Sequence, residues 1–143
     1  MRVAYPADFM KQPDGSVLVR FPDVPEAITD GETRADAMAE AIDCLVAAFG
    51  GYINEGRDIP QPSHPRPDQK RVALPLLVAA KLALYQSMRD AHLTQFELAK
   101  RLKVGERTVR RLLDLDCESP IGQIDAALTL LGKRLEVEVL DAA

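Results

Sequence analysis

Early in the chain, apolar side chains recur at every second position. Val17, Val19 and Phe21 alternate with Leu18 and Arg20, the spacing of a half-buried strand. Arg2 to Met10 is a second strand-like run. Between the two lies Lys11-Gln12-Pro13-Asp14-Gly15, whose Pro, Asp and Gly predict a hairpin. Phe21-Pro22-Asp23-Val24-Pro25 ends the second strand, because proline cannot donate to a central ladder. A third short strand is expected over Ala27 to Thr29. The period then changes. From Thr33-Arg34-Ala35-Asp36 onward, Ala35, Met38, Ala39, Ile42, Leu45, Val46 and Phe49 recur at helical spacing, a stripe suited to packing on one sheet face. Asp36, Glu40 and Asp43 form the solvent edge, and Gly56 is a better stop than Gly50-Gly51.

Ile59 to Pro67 is too rich in proline for helix or ladder and reads as an extended connector. Gln69 to Leu74 is a short basic strand, and Pro75 suits the first turn of a helix. Leu77, Val78, Ala80, Leu82, Leu84, Tyr85 and Met88 make that helix apolar around much of its circumference, which predicts burial on two sides. Lys81 and its length exclude it as a membrane span. Next come two short helices joined by Lys103-Val104-Gly105. Thr94 and Glu97 have the spacing of a capping box. The first helix turns Phe96, Leu98, Ala99 and Leu102 inward; the second turns Val109, Leu112 and Leu113 inward and Arg107, Arg110 and Arg111 outward, with Val104 plugging the angle. Past an acidic loop, 114–118, Ser119-Pro120 is expected to cap a helix carrying Ile121, Ile124, Leu128 and Leu131 that Gly132 closes. Leu135, Val137 and Val139 alternate with Glu136 and Glu138 as a terminal strand. Its second domain offers it no partner, so pairing with a symmetry mate, in a homodimer or higher oligomer, is expected. The class is α+β: a small sheet-plus-helix domain over 1–68, its last strand at 69–74, then a helical domain with a C-terminal strand over 75–143.

Charge divides the chain. Residues 1–68 carry 12 acids and 6 bases, net -6, whereas 69–143 carry 10 acids and 12 bases, net +2. Within 100–111 six bases face Glu106 alone. Phosphate attraction is local, screened within about 10 Å at 0.1 M salt, so such a patch outweighs the global -4. Cys44 and Cys117 have no metal or redox spacing, and His64 and His92 are too few for a zinc site, so neither cofactor nor metal is expected. Cys44 is expected as a buried free thiol. No export segment and no apolar run of spanning length appears, which points to a cytoplasmic protein without a membrane partner.

Leu93 to Leu113 resembles the helix-turn-helix of phage repressors and their bacterial relatives, with Thr94-Gln95 typical of its opening. Lys103 stands where that family usually has Gly, and Gly105 where it has a hydroxyl cap. The resemblance implies double-stranded operator DNA as a partner, with an inverted repeat read by a dimer. By position, Glu106, Arg107 and Arg111 are the base-reading candidates, since Arg matches the O6 and N7 acceptors of guanine and Glu the cytosine amino group. Thr94 and Gln95 at a helix N-terminus, with Lys103 and Arg110, are the phosphate-contact candidates.

A second resemblance covers almost the whole chain. Tyr5-Pro6-Ala7, Asp14-Gly15, Phe21-Pro22-Asp23, Thr29-Asp30-Gly31-Glu32-Thr33 and Ile59-Pro60-x-Pro62-Ser63 occur in order and are similar to the HicB antitoxin domain, a degenerate relative of the ribonuclease H fold. Val72-Ala73-Leu74-Pro75 resembles its last strand. Glu26 replaces the glycine usual after Val24-Pro25. The resemblance implies an antitoxin of a type II toxin–antitoxin system that neutralises a HicA-like mRNA-cleaving ribonuclease and represses its own operon. The toxin-contacting residues are not legible. Asp8, Asp14, Asp23 and Asp30 fall at turns and strand ends, where Asp is ordinary turn chemistry, so no catalytic residues and no enzyme are expected. The competing reading is a ligand-responsive transcriptional repressor without a toxin partner.

Overall fold

A computed structural model describes residues 3–141. Four strands, β1 (Ala4–Lys11), β2 (Val17–Arg20), β3 (Ile28–Gly31) and β4 (Lys70–Ala73), form one antiparallel sheet in the order β3-β2-β1-β4. Among the described residues five helices complete the α+β fold: α1 (Arg34–Asn54), α2 (Leu76–Asp90), α3 (Gln95–Leu102), α4 (Glu106–Leu113) and α5 (Ile121–Leu130). Two compact units divide the chain, Met1–Ala79 and Ala80–Ala143, so the division falls inside α2.

In the first unit the expected hairpin pairs Phe9 with Val19 and Lys11 with Val17. Its turn places Gly15 at φ +91, and Asp14 accepts from the backbone N–H and hydroxyl of Ser16. β3 runs two residues beyond the end expected for it. β4, which follows the connector after α1, pairs Val72 with Tyr5. Tyr5, Ala7, Val17, Val19 and Val72 are buried, and Tyr5 meets Phe49 of α1 at 5.1 Å between ring centroids. Gly31 marks the closest approach of sheet to helix: a Cβ there would lie 2.3 Å from the Ala37 nitrogen.

That approach also corrects the helix stripe. Ala37, Ala41, Leu45, Phe49 and Tyr52 are the buried residues of α1, while Ala35 and Ala39 are exposed and Met38, Ile42 and Val46 are half-buried. Alanine is too weakly apolar to fix a face by sequence. The helix runs through Gly50-Gly51 to Asn54, with Gly56 at φ +67 beyond it.

The proline-rich connector is extended, yet it is anchored to the sheet. Ile59 is buried, the Tyr5 hydroxyl donates to the Pro60 carbonyl at 2.6 Å, and Asp23 accepts from the backbone N–H and hydroxyl of Ser63. Asp8 accepts from Arg66 and Gln69, both at 3.1 Å. Glu26 receives the Tyr52 hydroxyl at 2.8 Å and the Arg57 guanidinium at 2.9 Å. Arg57 also lies 3.8 Å over the Tyr52 ring. The residue that departs from the HicB pattern is thus fitted into a local network.

In the second unit, Leu98, Ala99, Val109, Leu112, Leu113, Ile124, Ala127 and Leu128 make the core, and α3 packs on both α4 and α5. Phe96 and Val104, expected inside, are 58% and 40% exposed. Phe96 is turned to solvent, with Lys100 Nζ 5.9 Å from its ring centroid. α5 is capped by Pro120 without a side-chain bond, not by Ser119, and Ile121 is exposed. Residues 133–140 form no ladder in the single chain, so the terminal strand expected there is not present within it; Val137 and Val139 are exposed. A lone segment needs a second edge to become a strand. Cys44 and Cys117 are free and half-buried.

Candidate nucleic-acid interface

The α3–α4 pair is built from its ends inward. Thr94 caps α3, its hydroxyl oxygen accepting from the Glu97 N–H at 3.1 Å, the forward half of the expected capping box. Because that oxygen is occupied as an acceptor, the Thr94 hydroxyl is left to act outward as a donor. α3 closes through Lys103 in the left-handed region (φ 58, ψ 42), with the Val104 N–H donating to the Ala99 carbonyl at 3.0 Å. This is the Schellman closure, made here on a lysine where glycine is the unstrained choice. Gly105 caps α4 through its backbone conformation alone.

Burial then sorts the faces. Val109, Leu112 and Leu113 hold α4 to its unit, and Glu106, Arg107, Arg110 and Arg111 stand exposed. Arg107 and Arg111 are one turn apart, hence on one side of the helix, as are Glu106 and Arg110. Lys103 projects from the turn, and Thr94 and Gln95 are exposed at the start of α3. Among the described residues no ion pair engages any base between 100 and 111. Every DNA-contact candidate is therefore in one short segment and open to solvent, and the bases are free to meet an anion.

One residue with a part in this region was missed by sequence reasoning. Lys81, read only as a charge that excludes a membrane span, is completely buried. Its Nζ donates to the carbonyls of Arg111 and Asp114 at 2.8 and 2.7 Å and to the Ser119 hydroxyl at 2.9 Å. Burial pushes the ammonium below the ordinary lysine pKa, against the opposing pull of Cys117 and Asp114. The signal available was its setting, a single charge inside Val78-Ala79-Ala80-Lys81-Leu82-Ala83-Leu84.

In the first unit the acids Asp8, Asp14 and Asp23 are engaged by nearby donors, as described above. Among the described residues no group of three or more His, Cys, Asp or Glu side chains is placed to hold a metal ion, and no helix is long and apolar enough to cross a membrane.

Comparison with known proteins agrees with this architecture. Residues 4–83 match the model of the HicB-like antitoxin of bacterial toxin–antitoxin systems. Antitoxin HicB of Escherichia coli K12 is 36% identical over 133 residues, covering 93% of this chain and 96% of that protein. Antitoxin HicB 1 of Photorhabdus laumondii is 35% identical over 135 residues, 94% of this chain and 86% of the relative. Antitoxin HicB of Pseudomonas fluorescens Pf0-1 is 33% identical over 126 residues, 87% and 86% of the two chains. With the family model spanning more than half of its length and such relatives matched nearly end to end, the chain belongs to the HicB-like antitoxin family of bacterial toxin–antitoxin systems.

Proposed function

We propose that the protein neutralises a small basic HicA-like ribonuclease through its first unit and represses its own operon by placing α4 in the major groove of an inverted-repeat operator. The observation that carries the DNA half is the α3–α4 pair, with a buried apolar seam and an exposed face of unpaired bases, the form a helix-turn-helix takes. Arg107, Arg111 and Glu106 read bases; Lys103, Arg110, Thr94 and Gln95 hold phosphates. The toxin half rests on family membership and on acidity. An acidic unit competes with RNA phosphate for a basic face and speeds encounter by steering. As a repressor in the cytoplasm, the protein acts as a dimer, each subunit reading one half-site.

Co-expression tests both halves. A short basic protein encoded beside this chain is expected to arrest growth alone and to be harmless with it. Arg107→Ala or Arg111→Ala is expected to lose about 1–3 kcal/mol of operator binding while protection from the toxin persists. Protection lost together with DNA binding in a folded variant would contradict a division of labour between the two units.

A further inference from the structure

Lys81 carries an ammonium with three N–H donors, and the structure gives it three acceptors: the Arg111 and Asp114 carbonyls and the Ser119 hydroxyl. The match is complete, and the neighbours are polarised consistently. Ser119 Oγ accepts from Lys81 and lies 3.4 Å from the Arg111 carbonyl, to which it donates. The Arg111 carbonyl, which also accepts from the Asp114 N–H at 3.3 Å, lies at the negative end of the α4 dipole, so a cation there is favoured. A buried lysine is costly unless so satisfied. One of the two carbonyls belongs to Arg111, which the DNA-binding reading assigns to base recognition, and the other to Asp114, which caps α4. Lys81 thus fixes the backbone from which a base-reading side chain projects, while its own charge is out of reach of solvent and DNA.

We infer that Lys81 is a positioning residue for operator recognition: from α2 it clamps the C-terminal turn of α4 and the following loop, setting the register of Arg111 on the groove. This rests on the DNA-binding reading above. Bidentate readout of a base tolerates little misplacement, whereas nonspecific phosphate attraction tolerates much. Loosening the clamp should therefore degrade discrimination before it degrades electrostatic binding.

The test uses the full-length chain and two fluorescent duplexes, one spanning the region upstream of its own reading frame and one of random sequence and equal length. Lys81→Met keeps the stem and removes the donors; Ser119→Ala removes one acceptor from a half-buried position. With folding verified by circular dichroism at the assay temperature, Lys81→Met is expected to lose about tenfold or more on the upstream duplex and less than about twofold on the random one. Ser119→Ala is expected to shift the same ratio in the same direction, by less. A folded Lys81→Met with a lower melting temperature but an unchanged ratio would overturn the inference, leaving Lys81 a stabilising residue only. If Lys81→Met does not fold, an unchanged ratio in Ser119→Ala overturns it and a reduced ratio supports it. A wild-type chain that does not prefer the upstream duplex overturns the DNA-binding reading itself, and this inference with it.

Discussion

Lys103 occupies the left-handed region at φ 58, where a Cβ crowds the backbone, and it is also a phosphate-contact candidate. These two properties make opposite demands on one side chain. Lys103→Gly is expected to raise stability by about 0.5–1 kcal/mol, the relief of strain less the extra chain entropy of glycine. It is also expected to weaken DNA binding and lower the salt slope by about 1. Melting curves and titrations at several salt concentrations check both; an unchanged slope would remove Lys103 from the phosphate contacts. The strain was legible in the sequence, since a non-glycine residue filled a position where the motif turns left-handed. Lys81 was not. Whether a lysine inside an apolar run points outward or is buried depends on the acceptors the fold brings to it, here from Arg111, Asp114 and Ser119, 30 to 38 residues away.

At the scale of elements, the segment from Ile59 to Gln69 has more to do than connect. Its prolines keep it extended without a ladder, and Tyr5, Asp23 and Asp8 hold it to the sheet. Burial, then the charge of Asp23, then Tyr52, pushes the Tyr5 phenol above the ordinary tyrosine range. The sign follows from linkage. A group whose pKa is raised on folding contributes stability that is full below its unfolded value, about 10, and is lost as the pH rises through the folded one. Tyr5→Phe is therefore expected to be less stable at pH 8 by about 1 kcal/mol, having left the Pro60 carbonyl without its donor. Its decline in stability between pH 8 and 11 is expected to be shallower than that of the wild type. Urea unfolding across that range measures it, and parallel declines would refute the assignment. The four strands of the sheet and the five helices were readable from period and punctuation, whereas the terminal strand expected around Leu135 to Val139 forms no ladder in the single chain. The face of α1 was not, because Ala35, Ala37, Ala39 and Ala41 look alike in sequence and only the approach of Ala37 to Gly31 distinguishes them.

At the scale of the whole molecule, charge is distributed more finely than the halves of the sequence suggested. Divided where the structure divides, the first unit has 12 acids and 8 bases and the second has 10 of each. The basic character belongs to the α3–α4 segment and not to its unit as a whole. The segment 133–140 bears on assembly: Val137, Val139 and Leu140 are 61%, 94% and 71% exposed, and an edge of alternating apolar residues is a template for pairing with another chain. The full chain is expected to elute as a dimer in gel filtration and a chain ending at Gly132 as a monomer; an unchanged dimer would place the interface elsewhere. Sequence by itself determined what is local: strand and helix periods, the proline and glycine stops, the exposed arginines and the HicB family pattern. These depend on neighbours within a few residues, and their physics is written in the order of side chains. Tertiary structure decided what joins distant positions: the anchoring of 59–69, the Glu26–Tyr52–Arg57 network, the true face of α1 and the burial of Lys81. The polar contacts depend on which donors and acceptors folding brings within about 3 Å of one another, and the face of α1 on the close approach of Gly31 to Ala37; spacing along the chain encodes neither.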